Sequence, residues 1–128
     1  MTVEKLSNSI YLGDRYCENV TIIDDKLIFQ INLISRVKEG TDEWNYNNDQ
    51  DLEKGCLVFD KVITYSINNG STINDEIEIH FISVENEVYH FIVEGAEYSD
   101  SGSTYKWVKY DIKCRDFYLL CDNKIIRE

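Results

Sequence analysis

IIDDKLIFQINL, residues 22–33, decides how the rest of the chain is read. Leu27, Phe29, Ile31 and Leu33 are apolar, and Gln30 and Asn32 lie between them. Side chains on a strand alternate between two faces, so this spacing predicts a half-buried strand with its odd positions inward. Asp24 and Asp25 separate it from the apolar run Val20, Ile22 and Ile23, and short acidic residues suit a tight turn. Residues 16–36 therefore read as a β-hairpin.

The same pattern extends outward from this hairpin. Leu57 to Ile67 is rich in Val, Ile, Tyr and Phe, and Asn68, Asn69 and Gly70 then supply turn residues, which predicts a second hairpin. Ile77, Ile79 and Phe81 alternate with Glu76, Glu78 and His80. Glu85 to Glu87 turn the chain into a strand over Val88 to Val93, which Gly95 is expected to end. A strand follows around Tyr105 to Tyr110, then a polar corner at Lys113 to Asp116, then a last strand over Phe117 to Leu120. At the other end Val3, Leu6 and Ile10 fall at helical spacing, with Thr2 as N-cap and Gly13 as stop. The prediction is an all-β domain: an antiparallel β-sandwich or partly open barrel of about seven strands with a short N-terminal helix. A chain of 128 residues with 43% hydrophobic residues fits one domain, 1–128.

Charge carries the functional signal. The formal net charge is -11, and residues 62–105 contain no Lys or Arg but eight acids: Asp75, Glu76, Glu78, Glu85, Glu87, Glu94, Glu97 and Asp100. Such a surface opposes nucleic acid phosphate and attracts a basic partner. A solvated face that serves only solubility has the same composition. Glu76, Glu78 and the lysines of the last strands would also guard sheet edges in a chain without proline.

Residues 39–53, EGTDEWNYNNDQDLE, form the longest stretch without a strand pattern and hold six acids around Trp44 and Tyr46. Aromatic rings among carboxylates make a hot spot for Lys and Arg side chains, whereas a Trp folded back on the core would close the domain instead. On the first reading Glu43, Trp44, Tyr46, Asp49, Asp51, Glu76, Glu78, Glu97 and Asp100 bind the partner. Trp44→Ala would then speed dissociation, and Asn at Asp49 and Asp51 would slow association.

Motifs of other classes are absent or misspaced. Asn47, Asn48, Asp49, Asp51 and Glu53 offer oxygen ligands, but not in the order an EF-hand requires. The polar stretch EGAEYSDSGS, 94–103, reads as a flexible turn. No metal or cofactor is expected. Cys17, Cys56, Cys114 and Cys121 match neither a CxxC nor a zinc-knuckle spacing and read as reduced, buried thiols. His80 is expected to face solvent beside Glu78, and His90 to be a hydrogen-bonded core residue. Neither a nucleophile elbow nor a Gly-rich phosphate loop accompanies them, so no enzyme is expected. Residues 1–16 lack the apolar core of a signal peptide, and no run approaches a membrane span, which predicts a cytoplasmic protein that contacts no membrane.

The stretch YLGDRYCENVTIIDDKLIFQINLISR, 11–36, followed by WNYNNDQDLEKGCLVFDKV, 44–62, resembles a family of small uncharacterised bacterial proteins. That family resembles in turn the immunity proteins of polymorphic toxin systems. The resemblance covers about the first half of the chain. It implies a small β-rich cytosolic inhibitor that occludes a cognate toxin domain, and it carries over no functional residues. The expectation is an acidic immunity protein, monomer or homodimer, bound to a basic toxin domain. The alternatives are a structural or accessory β-domain and a small hydrolase or ligand-binding barrel.

Overall fold

The computed structural model describes residues 2–36, 51–68 and 72–127. Helix α1, Val3–Asn8, starts where Thr2 Oγ1 accepts the Lys5 amide at 3.1 Å, the cap its sequence predicts. It ends at Ser9 rather than Gly13, because Ile10 already belongs to strand β1, Ile10–Tyr11. Strands β2, Cys17–Ile23, and β3, Lys26–Ile31, form the first predicted hairpin, and Asp24 takes a positive φ of 54° at its turn. Leu27, Phe29 and Ile31 are buried as the alternation requires.

Leu33 breaks the expectation. Asn32 is a bend whose Oδ1 accepts the Tyr16 amide and whose own amide donates to the Tyr16 carbonyl. Past this bend the inward phase flips, so Leu33 is only half-buried while Ile34 and Arg36 are buried. Strand β4, Leu33–Arg36, therefore leaves the first sheet and joins a second, three-stranded one with β1 and β5, Leu52–Glu53.

The main sheet has seven strands, which accounts for the expected count; the described residues hold ten in all. It adds β6, Cys56–Asn68; β7, Asp75–Glu85; β8, Val88–Tyr98; β9, Tyr105–Cys121; and β10, Lys124–Ile126. All pairs are antiparallel, in the order β2-β3-β6-β9-β8-β7, with β10 beside the end of β9. The second predicted hairpin does not form. β9 occupies the edge of β6 from Cys56↔Leu120 to Asn68↔Lys109, so β7 lies two strands further out. Hairpin β7–β8 turns on Asn86 and Glu87, both with positive φ, as a two-residue turn of type I′ needs. Of the other turn residues proposed after β6, Asn69 and Gly70 lie outside the described residues.

The predicted corner at Lys113–Asp116 is continuous strand. Its polarity marks a change of phase: Val108, Tyr110, Ile112 and Cys114 are buried, then Phe117 and Leu119. β9 lies inside the sheet between β6 and β8, so its lysines do not guard an edge as expected, whereas Glu76 and Glu78 do lie on the outer strand β7.

The sheet is not closed into a barrel, yet its two outer strands approach at one end. The Cys17 amide donates to the Ile73 carbonyl at 2.8 Å and the Ile77 amide to the Arg15 carbonyl at 3.5 Å. Inside this curve Phe59 packs against Phe29, Phe91 and Phe117, with ring centroids 5.6, 5.2 and 5.0 Å away. All four thiols are free; Cys17 and Cys114 are buried, and burial pushes each up to about 12, while Cys56 and Cys121 are only partly buried.

Arg127, just past β10, donates to both oxygens of Asp116 at 2.9 and 3.0 Å and lies 4.9 Å from the Tyr118 ring. These hydrogen bonds hold the Asp116 carboxyl below the usual carboxylate range. A carboxylate so depressed contributes stability above its unfolded value, and that contribution is lost as pH falls through the folded value. Arg127 is half exposed, so the pair is worth about 1 kcal/mol or less. Arg127→Ala is expected to lower the unfolding midpoint slightly at pH 7 and not at all in strong acid, as thermal melts across pH would show.

Candidate partner-binding surface

β7 and β8 position most of the acids of the 62–105 stretch. A register shift lies between Asp75 and Glu78, and within it Glu76 adopts φ 54° while its amide donates to Asp75 Oδ1 at 2.9 Å. Such a bulge re-aims a side chain, and Glu76 is exposed. Glu78 and Glu94 lie directly opposite each other, an unfavourable pair of like charges. The His80 imidazole sits between them, with Nε2 3.2 Å from Glu78 and 3.3 Å from Glu94. Glu94 also accepts Trp107 Nε1 at 2.8 Å, so its carboxylate is a structural link across β7, β8 and β9.

Linear segregation of charge does not survive as spatial segregation on β8. Glu97 pairs with Lys106 at 3.2 Å and accepts the Thr72 amide, and Glu94 lies opposite Lys109. β9 supplies the cations that the preceding stretch lacks. On β7 and its hairpin the outcome differs: Asp75, Glu76, Glu78, Glu85 and Glu87 have no Lys or Arg at ion-pair distance among the described residues.

Glu97 and Asp100 meet in an open cleft of about 570 Å³ at the β8–β9 turn, floored by Asn74, Tyr98 and Tyr105. The Tyr98 and Tyr105 rings lie 5.2 Å apart, and Tyr105 is 63% exposed. Partial desolvation and then the carboxylates of Glu76 and Asp75 push the Tyr98 phenol up, and Asp75 lies opposite Ala96, two residues before Tyr98 on β8. Asn74 holds the cleft's wall: its side chain bonds both the Tyr98 amide, at 2.8 Å, and the Tyr98 carbonyl, at 3.1 Å. The 94–103 stretch is thus strand up to Tyr98, and only 99–104 turns.

Asp51 is exposed and lines a separate cleft of about 830 Å³ with Lys54 and Asp122. Glu43, Trp44, Tyr46 and Asp49 lie outside the described residues. The structure thus brings Glu76, Glu97 and Asp100 to one end of the sheet, puts Glu78 further along β7, and leaves Asp51 elsewhere. Tyr98 and Tyr105 went unremarked as site residues in the sequence; their cross-strand pairing depends on β8 and β9 register. His90 is hydrogen-bonded as expected, to Asp111 at 2.8 Å, but on the outer face opposite Lys113 rather than in the core.

Among the described residues no group of three His, Cys, Asp or Glu is arranged to hold a metal ion, and no helix is long and apolar enough to cross a membrane. A search of curated proteins and a search of solved structures each return no match. The model of one family, described as a family of unknown function (DUF6258), matches residues 1–127.

Proposed function

We propose that this chain, which belongs to the DUF6258 family, is a stoichiometric protein-binding domain that occludes a basic partner, in the manner of an immunity protein bound to a toxin domain. The observation that carries this reading is the pair Asp75 and Glu76, which have no Lys or Arg at ion-pair distance among the described residues, near the neighbouring rings of half-buried Tyr98 and exposed Tyr105. Carboxylates without internal cations raise the encounter rate with Lys and Arg side chains, and desolvated rings slow their departure. Binding by occupancy also agrees with a net charge of -11, which suits a basic protein and opposes nucleic acid. Glu97 serves in this surface chiefly by holding Lys106 and the Thr72 amide, so Glu76, Glu78 and Asp100 are the acids that meet the partner.

The test is co-expression with each basic protein domain encoded beside this chain, scored by restored growth and by a 1:1 complex. Glu76→Gln with Glu78→Gln is expected to slow association several-fold and flatten its salt dependence while leaving dissociation nearly unchanged. Tyr105→Ala is expected to speed dissociation. Absence of any complex, or a complex indifferent to salt and to these changes, would remove the proposal.

A further inference from the structure

Between Lys61 and Asp75 the chain has no charged residue, although 29% of its residues are charged. The last part of β6 lies in this window and has only one neighbouring strand among the described residues. β3 pairs with β6 over Cys56 to Phe59, and the Asp25 carbonyl takes the Val62 amide at 2.8 Å. The β6–β9 ladder shifts register between Val62 and Thr64, where Ile63 is the extra residue, and beyond it only β9 lies alongside residues 64–68 among the described residues. Ile63, Tyr65 and Ile67 are 47%, 42% and 40% exposed, large fractions for side chains of this size. Tyr65 and Ile67 stand opposite the buried Ile112 and Tyr110, so they belong to the inward face of the sheet and extend its apolar surface past its edge.

Free strand edges are usually blunted by charge or proline. Here neither is present. The sequence is instead symmetric about Tyr65: Ile63-Thr64-Tyr65-Ser66-Ile67 reads Ile, hydroxyl, Tyr, hydroxyl, Ile in both directions. We infer that this edge pairs with the same edge of a second copy of the chain, antiparallel about a two-fold axis at Tyr65. In that register Tyr65 faces its own copy, Ile63 faces Ile67, and Thr64 faces Ser66, a hydroxyl pair that stabilises neighbouring strands. A shift by one residue would put apolar side chains opposite hydroxyls on the other face. The bond between Val62 and Asp25 closes one end of the window, and the sequence symmetry puts the centre of the ladder on Tyr65, within the regular run of residues 64–68. A five-residue ladder is a small contact, below about 1,200 Å², where transient encounters lie.

The register sets the test. Antiparallel partners have Cα atoms about 4.5–5.5 Å apart, inside the disulfide window of about 4.4–6.8 Å. Tyr65→Cys is therefore expected to form a covalent dimer under mild oxidation. Ile63→Cys alone is not, because its own copy lies about 13 Å along the strand, but mixed with Ile67→Cys it is. The wild-type chain under the same oxidant reports any linkage through its native thiols. Sedimentation of the unmodified chain should show mass doubling at high protein concentration. This should strengthen as salt screens the repulsion between two chains of net charge -11, opposite to the salt effect on a basic partner. Tyr65→Lys, which sets two cations against each other, should abolish it. A monomer at every concentration, or crosslinking by Ile63→Cys alone as strong as by Tyr65→Cys, would overturn the inference; the cysteine pattern decides even if Tyr65→Lys does not fold.

Discussion

Phe59→Ala is expected to lower the unfolding free energy by about 3–5 kcal/mol, the largest loss from any single side chain here. Phe59 is fully buried on β6 and touches rings from three other strands: Phe29 on β3, Phe91 on β8 and Phe117 on β9. Those rings are themselves packed, with Phe91 and Phe117 at 4.9 Å and Phe29 and Tyr110 at 4.9 Å, so the space left by a deleted ring cannot close without moving several strands. A domain has only about 5–15 kcal/mol in total, so the variant should be largely unfolded in mild urea. The comparison is Tyr105→Ala, an exposed ring, expected within about 0.5 kcal/mol of the unmodified chain. Urea midpoints at constant slope would decide, and similar midpoints for the two variants would show that the four-ring cluster is not the centre of the core.

Gly95→Ala is the second large effect. Gly95 is buried in the middle of β8, opposite Val108. A Cβ there would collide with Ile73 Cγ2 and lie 3.0 Å from the backbone carbonyls of Asp75 and Glu76. Carbonyls in a bulge cannot swing aside as a side chain would, so overpacking of about 1–3 kcal/mol is expected. The strain would fall on the seam where the Cys17 amide meets the Ile73 carbonyl and on the bulge that aims Glu76. In an Ile73→Ala background the cost of the same change should shrink by about 0.5–3 kcal/mol, because one of the three collisions is gone. Hydrogen exchange should speed at the Cys17 amide before it speeds in the β6–β9 ladder. Additive effects of the two substitutions would show that Ile73 is not what excludes a side chain at position 95.

Gly95 also shows where the sequence was misread. As a residue among Glu94, Ala96 and Glu97 it signals the end of a strand, yet β8 continues to Tyr98. Its purpose is close approach by Ile73, a residue 22 positions earlier that no local window contains. The second hairpin failed for the same reason: Asn68 to Gly70 have turn chemistry, but β9 competes for the β6 edge with a 13-residue strand's length of pairing. The first hairpin was legible because Asp24 and Asp25 bring its two strands together within a few residues. The candidate surface was legible as composition only: Glu76, Glu78 and Asp100 were named from charge, whereas the pairing of Glu97 with Lys106 and the adjoining of Tyr98 and Tyr105 follow from cross-strand register.

The sequence by itself determined the β class, the capped N-terminal helix, the Asp24–Asp25 turn and the acidic excess, because periodicity, capping and net charge are properties of neighbours along the chain or of simple sums. Only the tertiary structure decided which strand lies beside which, where the inward phase flips at Asn32 and again beyond Cys114, and which acids are neutralised. β9 is the reason: a single 17-residue strand pairs on both edges and sets its lysines against β8 while leaving the acids of β7 without them. Charge balance in space depends on strand order, and strand order is settled by long-range pairing that no local pattern encodes.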